Sequence, residues 1–189
     1  MDSLLVSTLV VAIAEVGDKT QLLSLVLAAR YRRPWPICLA ILVATLANHY
    51  VAALAGEAVS RAIGPELLRY VLAASFALMG LWLLRPDDME EDTGAARYGG
   101  VFVTTLVLFF LAEMGDKTQV ATVALGARYD SVPLVVAGTT LGMLAANAPV
   151  VFGGEAIFRR LPVRWVHWAA AATFMVLGLV TAAAPWLSD

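Results

Sequence analysis

Two short stretches carry the side chains able to do chemistry. Glu15-Val16-Gly17-Asp18-Lys19-Thr20-Gln21 recurs as Glu113-Met114-Gly115-Asp116-Lys117-Thr118-Gln119. Together they offer four carboxylates, two amides, two hydroxyls and two ammonium groups. The oxygens form a hard donor set with no thiolate, which suits Ca²⁺, Mn²⁺ or Mg²⁺. Zinc and copper recruit Cys or His, and neither type occurs in the motif. If every group is ionised the set sums to −2. One divalent cation neutralises it, and so do two protons, which crowded carboxylates exchange as a coupled set. The pattern therefore implies exchange of M²⁺ against about two H⁺.

Both stretches lie in the middle of long apolar runs. A charged side chain at a bilayer centre costs about 2.5–3.5 kcal/mol on insertion scales. Helix formation in lipid does not require such groups, so they are functional candidates. A structural reading makes Glu15–Lys19 and Glu113–Lys117 ion pairs between helical neighbours, but it leaves Asp18, Asp116 and the duplication unexplained. An intramembrane aspartyl hydrolase with Asp18 and Asp116 as a dyad is an alternative. The adjacent Glu and Lys count against it.

The elements that must position these residues are membrane spans. The 189 residues are 60% hydrophobic, with a mean hydropathy of +0.79, against about 45–50% apolar in soluble domains. A span needs about 20 apolar residues, and six segments qualify: about residues 4–29, 36–58, 67–84, 99–127, 132–157 and 163–187. Trp35, Trp82, Trp165, Trp168 and Trp186 fall near their ends, as in an interfacial belt. At an offset of 98, Arg30-Tyr31 matches Arg128-Tyr129, Gly56-Glu57-Ala58 matches Gly154-Glu155-Ala156, and Arg61, Phe76 and Gly80 match Arg159, Phe174 and Gly178. The expectation is an all-α membrane protein of six transmembrane helices. Residues 1–85 form a first three-span repeat, 86–98 an acidic cytoplasmic linker and 99–189 a second three-span repeat. Three spans per repeat invert the second copy, so the two motifs face each other near the midplane.

Loop charge sets orientation. Arg30, Arg32, Arg33, Arg85, Arg97, Arg159, Arg160 and Arg164 fall on one side, against Arg61, Arg69 and Arg128 on the other. The richer side is expected in the cytoplasm, with both termini outside. The start, Met-Asp-Ser, has no basic segment and reads as a mature span without a cleaved leader. A net charge of −2 gives no surface for nucleic acid. Cys38 is the single cysteine, which excludes an internal disulfide, and a Cys/His metal cluster is excluded because only His49 and His167 could join it.

Other polar residues are accessory candidates. Asn48 and His49 lie in the second segment and Asn147 in the fifth. The asparagines read equally well as ligands or as interhelical hydrogen bonds. His49 reads as a core polar residue or a proton shuttle rather than a ligand. Glu57 and Glu155 read as interfacial, with a cation vestibule as the alternative. His167, beside two tryptophans, reads as interfacial. The acidic run Asp87–Asp92 reads as a solvated linker.

The duplicated Glu-x-Gly-Asp-Lys-Thr resembles the signature of the Gdt-type cation/proton exchangers, and the resemblance covers nearly the whole chain. It implies a secondary transporter, not an enzyme, moving Mn²⁺ and Ca²⁺ against H⁺, with bacterial members similar to manganese exporters. It implies a metal and proton site at Glu15, Asp18, Glu113 and Asp116, with Thr20, Gln21, Thr118 and Gln119 as further donors. Lys19 and Lys117 are expected to balance charge in the empty site. No cofactor is expected beyond the transported ion. The expected partners are the metal, protons and lipid, with a homo-oligomer permitted, and the expected location is a prokaryotic plasma membrane. A passive divalent-cation channel is the rival reading.

Overall fold

The computed structural model describes residues 2–84, 99–158 and 163–183, excluding the Phe158 side chain. Trp186, Arg85, Arg97, Arg159, Arg160 and the acidic linker fall outside the described residues. Regular structure among the described residues is helical throughout: α1 (Asp2–Glu15), α2 (Lys19–Tyr31), α3 (Pro34–Ala62), α4 (Pro65–Leu83), α5 (Val101–Glu113), α6 (Lys117–Arg128), α7 (Val132–Gly153), α8 (Glu155–Phe158) and α9 (Val163–Ala183). Four of them, α3, α4, α7 and α9, are long and apolar enough to cross a membrane.

The expected spans at 4–29 and 99–127 are not continuous helices. Each is two helices, broken inside the motif. Gly17 and Gly115 adopt φ of +84° and +75°, a region open to glycine and strained for other residues. Asp18 and Asp116 then take extended N-cap conformations and α2 and α6 begin at the following lysines. The glutamine three residues after each aspartate completes the restart. Gln21 Oε1 accepts from Gly17 N at 2.8 Å, and Gln119 Oε1 accepts from Gly115 N at 2.7 Å. This is a capping-box pattern shifted by one residue. At about 1.5 Å per residue, α1 and α5 alone reach only about 20 Å, less than the hydrocarbon thickness.

The outer surface is apolar. Leu5, Leu9, Leu78, Leu81, Leu179, Trp35, Trp165 and Trp168 are exposed, which is an aggregation hazard in water and the expected surface in lipid. Helix ends follow local rules: α3, α4 and α7 each start with proline in the first turn, where its missing N–H is not needed.

The helices interlock. Gly138 lies against Leu4 and Ser7, and Gly142 against Thr8, Val11 and Ala12, so α1 and α7 run the same way. Gln119 bonds Asn48 and Gly126 lies against Ala53, so α3 and α6 also run the same way. Gly80 meets Ala171 and Met175 while Gly178 meets Ala73 and Ala77, so α4 and α9 are antiparallel. Their axis of contact is Phe76 on Phe174, with ring centroids 6.2 Å apart. Exchanging residues by the offset of 98 turns the α1–α7 and α2–α7 contacts into the α5–α3 and α6–α3 contacts.

Small residues make these approaches possible, because close van der Waals packing replaces hydrophobic driving force in lipid. A Cβ on Gly126 would fall 2.5 Å from the Ala53 carbonyl oxygen, and one on Gly56 would fall 2.0 Å from that of Val123. Both obstacles are backbone, which cannot rotate away. Gly126→Val is therefore expected to destabilise the protein by about 3 kcal/mol or more, read as a lower melting temperature in detergent. Gly64→Ala, with open space at the same position, should leave melting unchanged and serves as the control.

Candidate metal centre

The two breaks place the motif side chains together. Glu15 and Glu113 end α1 and α5, so each presents its carboxylate at the negative end of a helix dipole, which favours cations. Carboxylate oxygens of Glu15, Glu113 and Asp116 all lie within 4.8 Å of one another, and all three residues are buried. This cluster takes members from both motifs. Asp18 is buried at its own helix start but lies outside that trio.

Because the helix breaks, the three- and four-residue spacings no longer put the motif on one continuous face. Lys19 reaches across instead: its Nζ lies 3.0 Å from Asp116 Oδ1. Lys19 is 39% exposed, while Lys117 is 2% exposed and lies over the Trp82 ring, Nζ 5.9 Å from its centroid. The two lysines thus have unlike surroundings.

Thr118 Oγ1 lies 3.1 Å from Glu113 Oε2 and 3.2 Å from Asp116 Oδ2, and its amide donates to Asp116 Oδ2 at 3.3 Å. Thr20 is buried, and its hydroxyl has no hydrogen-bond partner among the described residues. The glutamines brace the breaks: beyond the glycine bonds, Gln21 Nε2 donates to the Ala146 carbonyl at 2.8 Å, and Gln119 Nε2 donates to Asn48 Oδ1. Asn48 Nδ2 donates to the Phe110 carbonyl at 3.2 Å.

Asn147 joins the centre directly, with Nδ2 lying 3.3 Å from Glu15 Oε1 and 3.0 Å from the Met143 carbonyl, while Ser24 donates to its Oδ1 at 2.7 Å. His49 Nε2 stands 3.6 Å from Glu113 Oε2, with both residues fully buried. The sequence signal for this pair is strict register: an offset of 98 matches Asn147 to His49, not to Asn48. Glu15 Oε2 and Glu113 Oε1 are buried without hydrogen-bond partners among the described residues, a costly arrangement for oxygens that bind nothing.

The peripheral candidates sit elsewhere. Glu57 pairs with Arg61 at 2.8 Å on the helix surface, and Glu155 is exposed at the start of α8. His167 is half-buried, and its Nε2 lies against Gly17 rather than only facing an interface.

Fold and site define a class: a multi-pass helical membrane protein with a buried acidic cluster between broken helices. Comparison with known proteins gives the family. The profile described as "Divalent cation/proton antiporter GDT1" matches residues 3–91 and 101–188. The chain is 48% identical over 184 residues to the "Putative manganese exporter" of Vibrio cholerae serotype O1, covering 96% of this chain and 91% of that protein. It is 27% identical to GDT1-like protein sll0615 of Synechocystis, covering 92% and 93% of the two chains. It is 20% identical to the divalent cation/proton antiporter GDT1 of Saccharomyces cerevisiae, covering 95% and 83%. No solved structure matches. The chain belongs to the GDT1 family of divalent cation/proton antiporters, which are transporters and not enzymes.

Proposed function

We propose that this protein exports Mn²⁺ across a prokaryotic plasma membrane in exchange for protons, with Ca²⁺ as a second cargo, through one site shared by both motifs. The observation that carries the reading is the buried trio Glu15, Glu113 and Asp116, drawn from two segments 98 residues apart and gathered within 4.8 Å. Asp18 completes the carboxylates, Thr20 and Thr118 supply hydroxyls, and Gln21, Gln119, Asn48 and Asn147 hold the breaks or enter the shell as it changes. Cargo identity draws support from the name of the Vibrio cholerae relative.

The architecture proposed around this site is six spans, with α1–α2 and α5–α6 as the two broken ones, in two inverted repeats joined by a cytoplasmic acidic linker. Both termini then face outside, and the site lies near the midplane. Broken helices pointing their ends at a midplane ion are a recurring transporter device. The exchange-symmetric packing and the parallel and antiparallel pairs described above support the inversion.

In the cycle, Lys19 neutralises Asp116 when no metal is bound, which removes part of the repulsion among clustered carboxylates. An arriving cation takes over Asp116 while both lysines stay within the site, which keeps the total of −2, and protons replace the cation after the site turns to the other side. Charge balance sets the ratio at one M²⁺ to about two H⁺. The test is flux in proteoliposomes with an imposed pH gradient, comparing Mn²⁺, Ca²⁺ and Mg²⁺. Mn²⁺ should accumulate against its own gradient and stop doing so when a protonophore collapses ΔpH. Flux indifferent to ΔpH would leave a passive channel and sink the antiport reading.

A further inference from the structure

His49 breaks the two-fold pattern of the site in a chemically specific way. Position 49 and position 147 are equivalent under the offset of 98, and each addresses the glutamate of one motif. Asn147 approaches Glu15 and is otherwise fully engaged, accepting from Ser24 and donating to the Met143 carbonyl. His49 approaches Glu113, is 0% exposed, and among the described residues has no hydrogen-bond partner at either ring nitrogen. The carboxylate beside it also keeps an unpartnered oxygen, Glu113 Oε1. Buried polar atoms are almost always satisfied by protein, water or an ion. Here an imidazole nitrogen and a carboxylate oxygen face each other at 3.6 Å, longer than a hydrogen bond, a spacing in which one cation can bind both groups.

We infer that His49 is the selectivity-determining residue of the centre, supplying one nitrogen ligand to an otherwise all-oxygen set and so favouring Mn²⁺ over Ca²⁺ and Mg²⁺. Imidazole nitrogen suits first-row transition metals, whereas Ca²⁺ and Mg²⁺ take oxygen almost exclusively. Carboxylates alone discriminate poorly between Mn²⁺ and Ca²⁺, because both accept them. The ligating atom is Nε2, which faces Glu113. This rests on the acidic cluster being the metal site proposed above.

The test is pulsed electron paramagnetic resonance of Mn²⁺ bound to the purified full-length protein, with histidine in ¹⁴N and ¹⁵N forms. The wild-type spectrum should carry a nitrogen coupling that changes with the isotope. His49→Asn, which makes the two halves alike at this position, should abolish the coupling. His167→Asn, which removes the other histidine, should retain it. In competition binding, His49→Asn should lower the Mn²⁺:Ca²⁺ affinity ratio about tenfold or more, with Ca²⁺ binding retained as evidence of a folded site. His49→Gln gives a second variant should the first not fold, and the wild-type spectrum needs no variant.

Bound Mn²⁺ without histidine coupling, or an unchanged affinity ratio in the variants, overturns the inference. Glu113→Gln separates that failure from failure of the site itself. If Glu113→Gln abolishes Mn²⁺ binding while the histidine coupling is absent, the site stands and only the role of His49 falls. If Glu113→Gln binds Mn²⁺ like wild type, the acidic-cluster reading falls and takes this inference with it.

Discussion

Glu15→Gln and Glu113→Gln are each expected to lower proton-coupled Mn²⁺ flux about 100-fold or more, beyond the 10–100-fold typical of groups that only orient a ligand. Both carboxylates end a broken helix and are 0% exposed. Glutamine keeps the shape and removes the charge, so the effect reports electrostatics rather than packing. Each substitution takes the site from −2 to −1, and a bound divalent cation then leaves an uncompensated charge in a low-dielectric space. The same substitutions should not lower the melting temperature of the metal-free protein. A neutral amide is easier to bury than a carboxylate, so on the proposed reading these glutamates burden stability. Glu57→Gln is the control. Glu57 pairs with a largely exposed Arg61, and such surface pairs contribute about 0–1 kcal/mol. Flux measured per mole of folded protein in proteoliposomes decides the matter. Wild-type rates in either motif variant would remove the site assignment.

Asp116→Asn belongs to the same class with an added consequence. It also removes the partner that Lys19 reaches at 3.0 Å, and flux should fall at least as far as in the glutamate variants.

The sequence makes the donor groups of this buried cluster legible because a few residue types supply them and because they occur twice. Composition and apolar runs likewise disclose a helical membrane protein. The motif glycine reads either as a close-approach point or as a place where the helix unwinds, and choosing the break is harder, for a physical reason. Hydropathy responds to the apolar residues flanking the motif, which are continuous, and not to a change of backbone direction over three residues. The local signal was nevertheless present. Asp18 and Asp116 are N-cap residues followed three positions later by Gln21 and Gln119, and each is preceded by a glycine free to take positive φ. Reading those segments as single helices suggests a Glu15–Lys19 neighbour pair, whereas the break turns Lys19 toward Asp116 in the other motif. The role of position 49 was obscured differently. Asparagine at 48 invites pairing with asparagine at 147 by residue type, but backbone register pairs 147 with His49, and the contacts to Glu15 and Glu113 follow register.

Severing the chain within residues 86–98 and expressing either piece alone is expected to give no folded protein and no transport, while co-expression should restore both. Each half lacks its packing partner. One buried cluster joins Val10, Phe76 and Met79 to Leu125, Val135 and Phe174, and another joins Ile37 and Ile41 to Phe109 and Met143. Alone, the first piece would expose these surfaces to lipid and hold Glu15, Asp18 and Lys19 without the second motif. Each charge at the bilayer centre costs about 2.5–3.5 kcal/mol on insertion scales. Two copies of the first piece cannot stand in for the missing half, because the halves are alike in motif and unlike around it. Such a pair would set two His49 side chains at the glutamates and no Asn147. Flux from either piece alone, at a rate comparable to the intact chain, would show that a homodimer suffices and that the cross-half contacts are dispensable. Loss in each piece with recovery on co-expression would show that the transporting unit is the pair, held by helices that each complete the other's core.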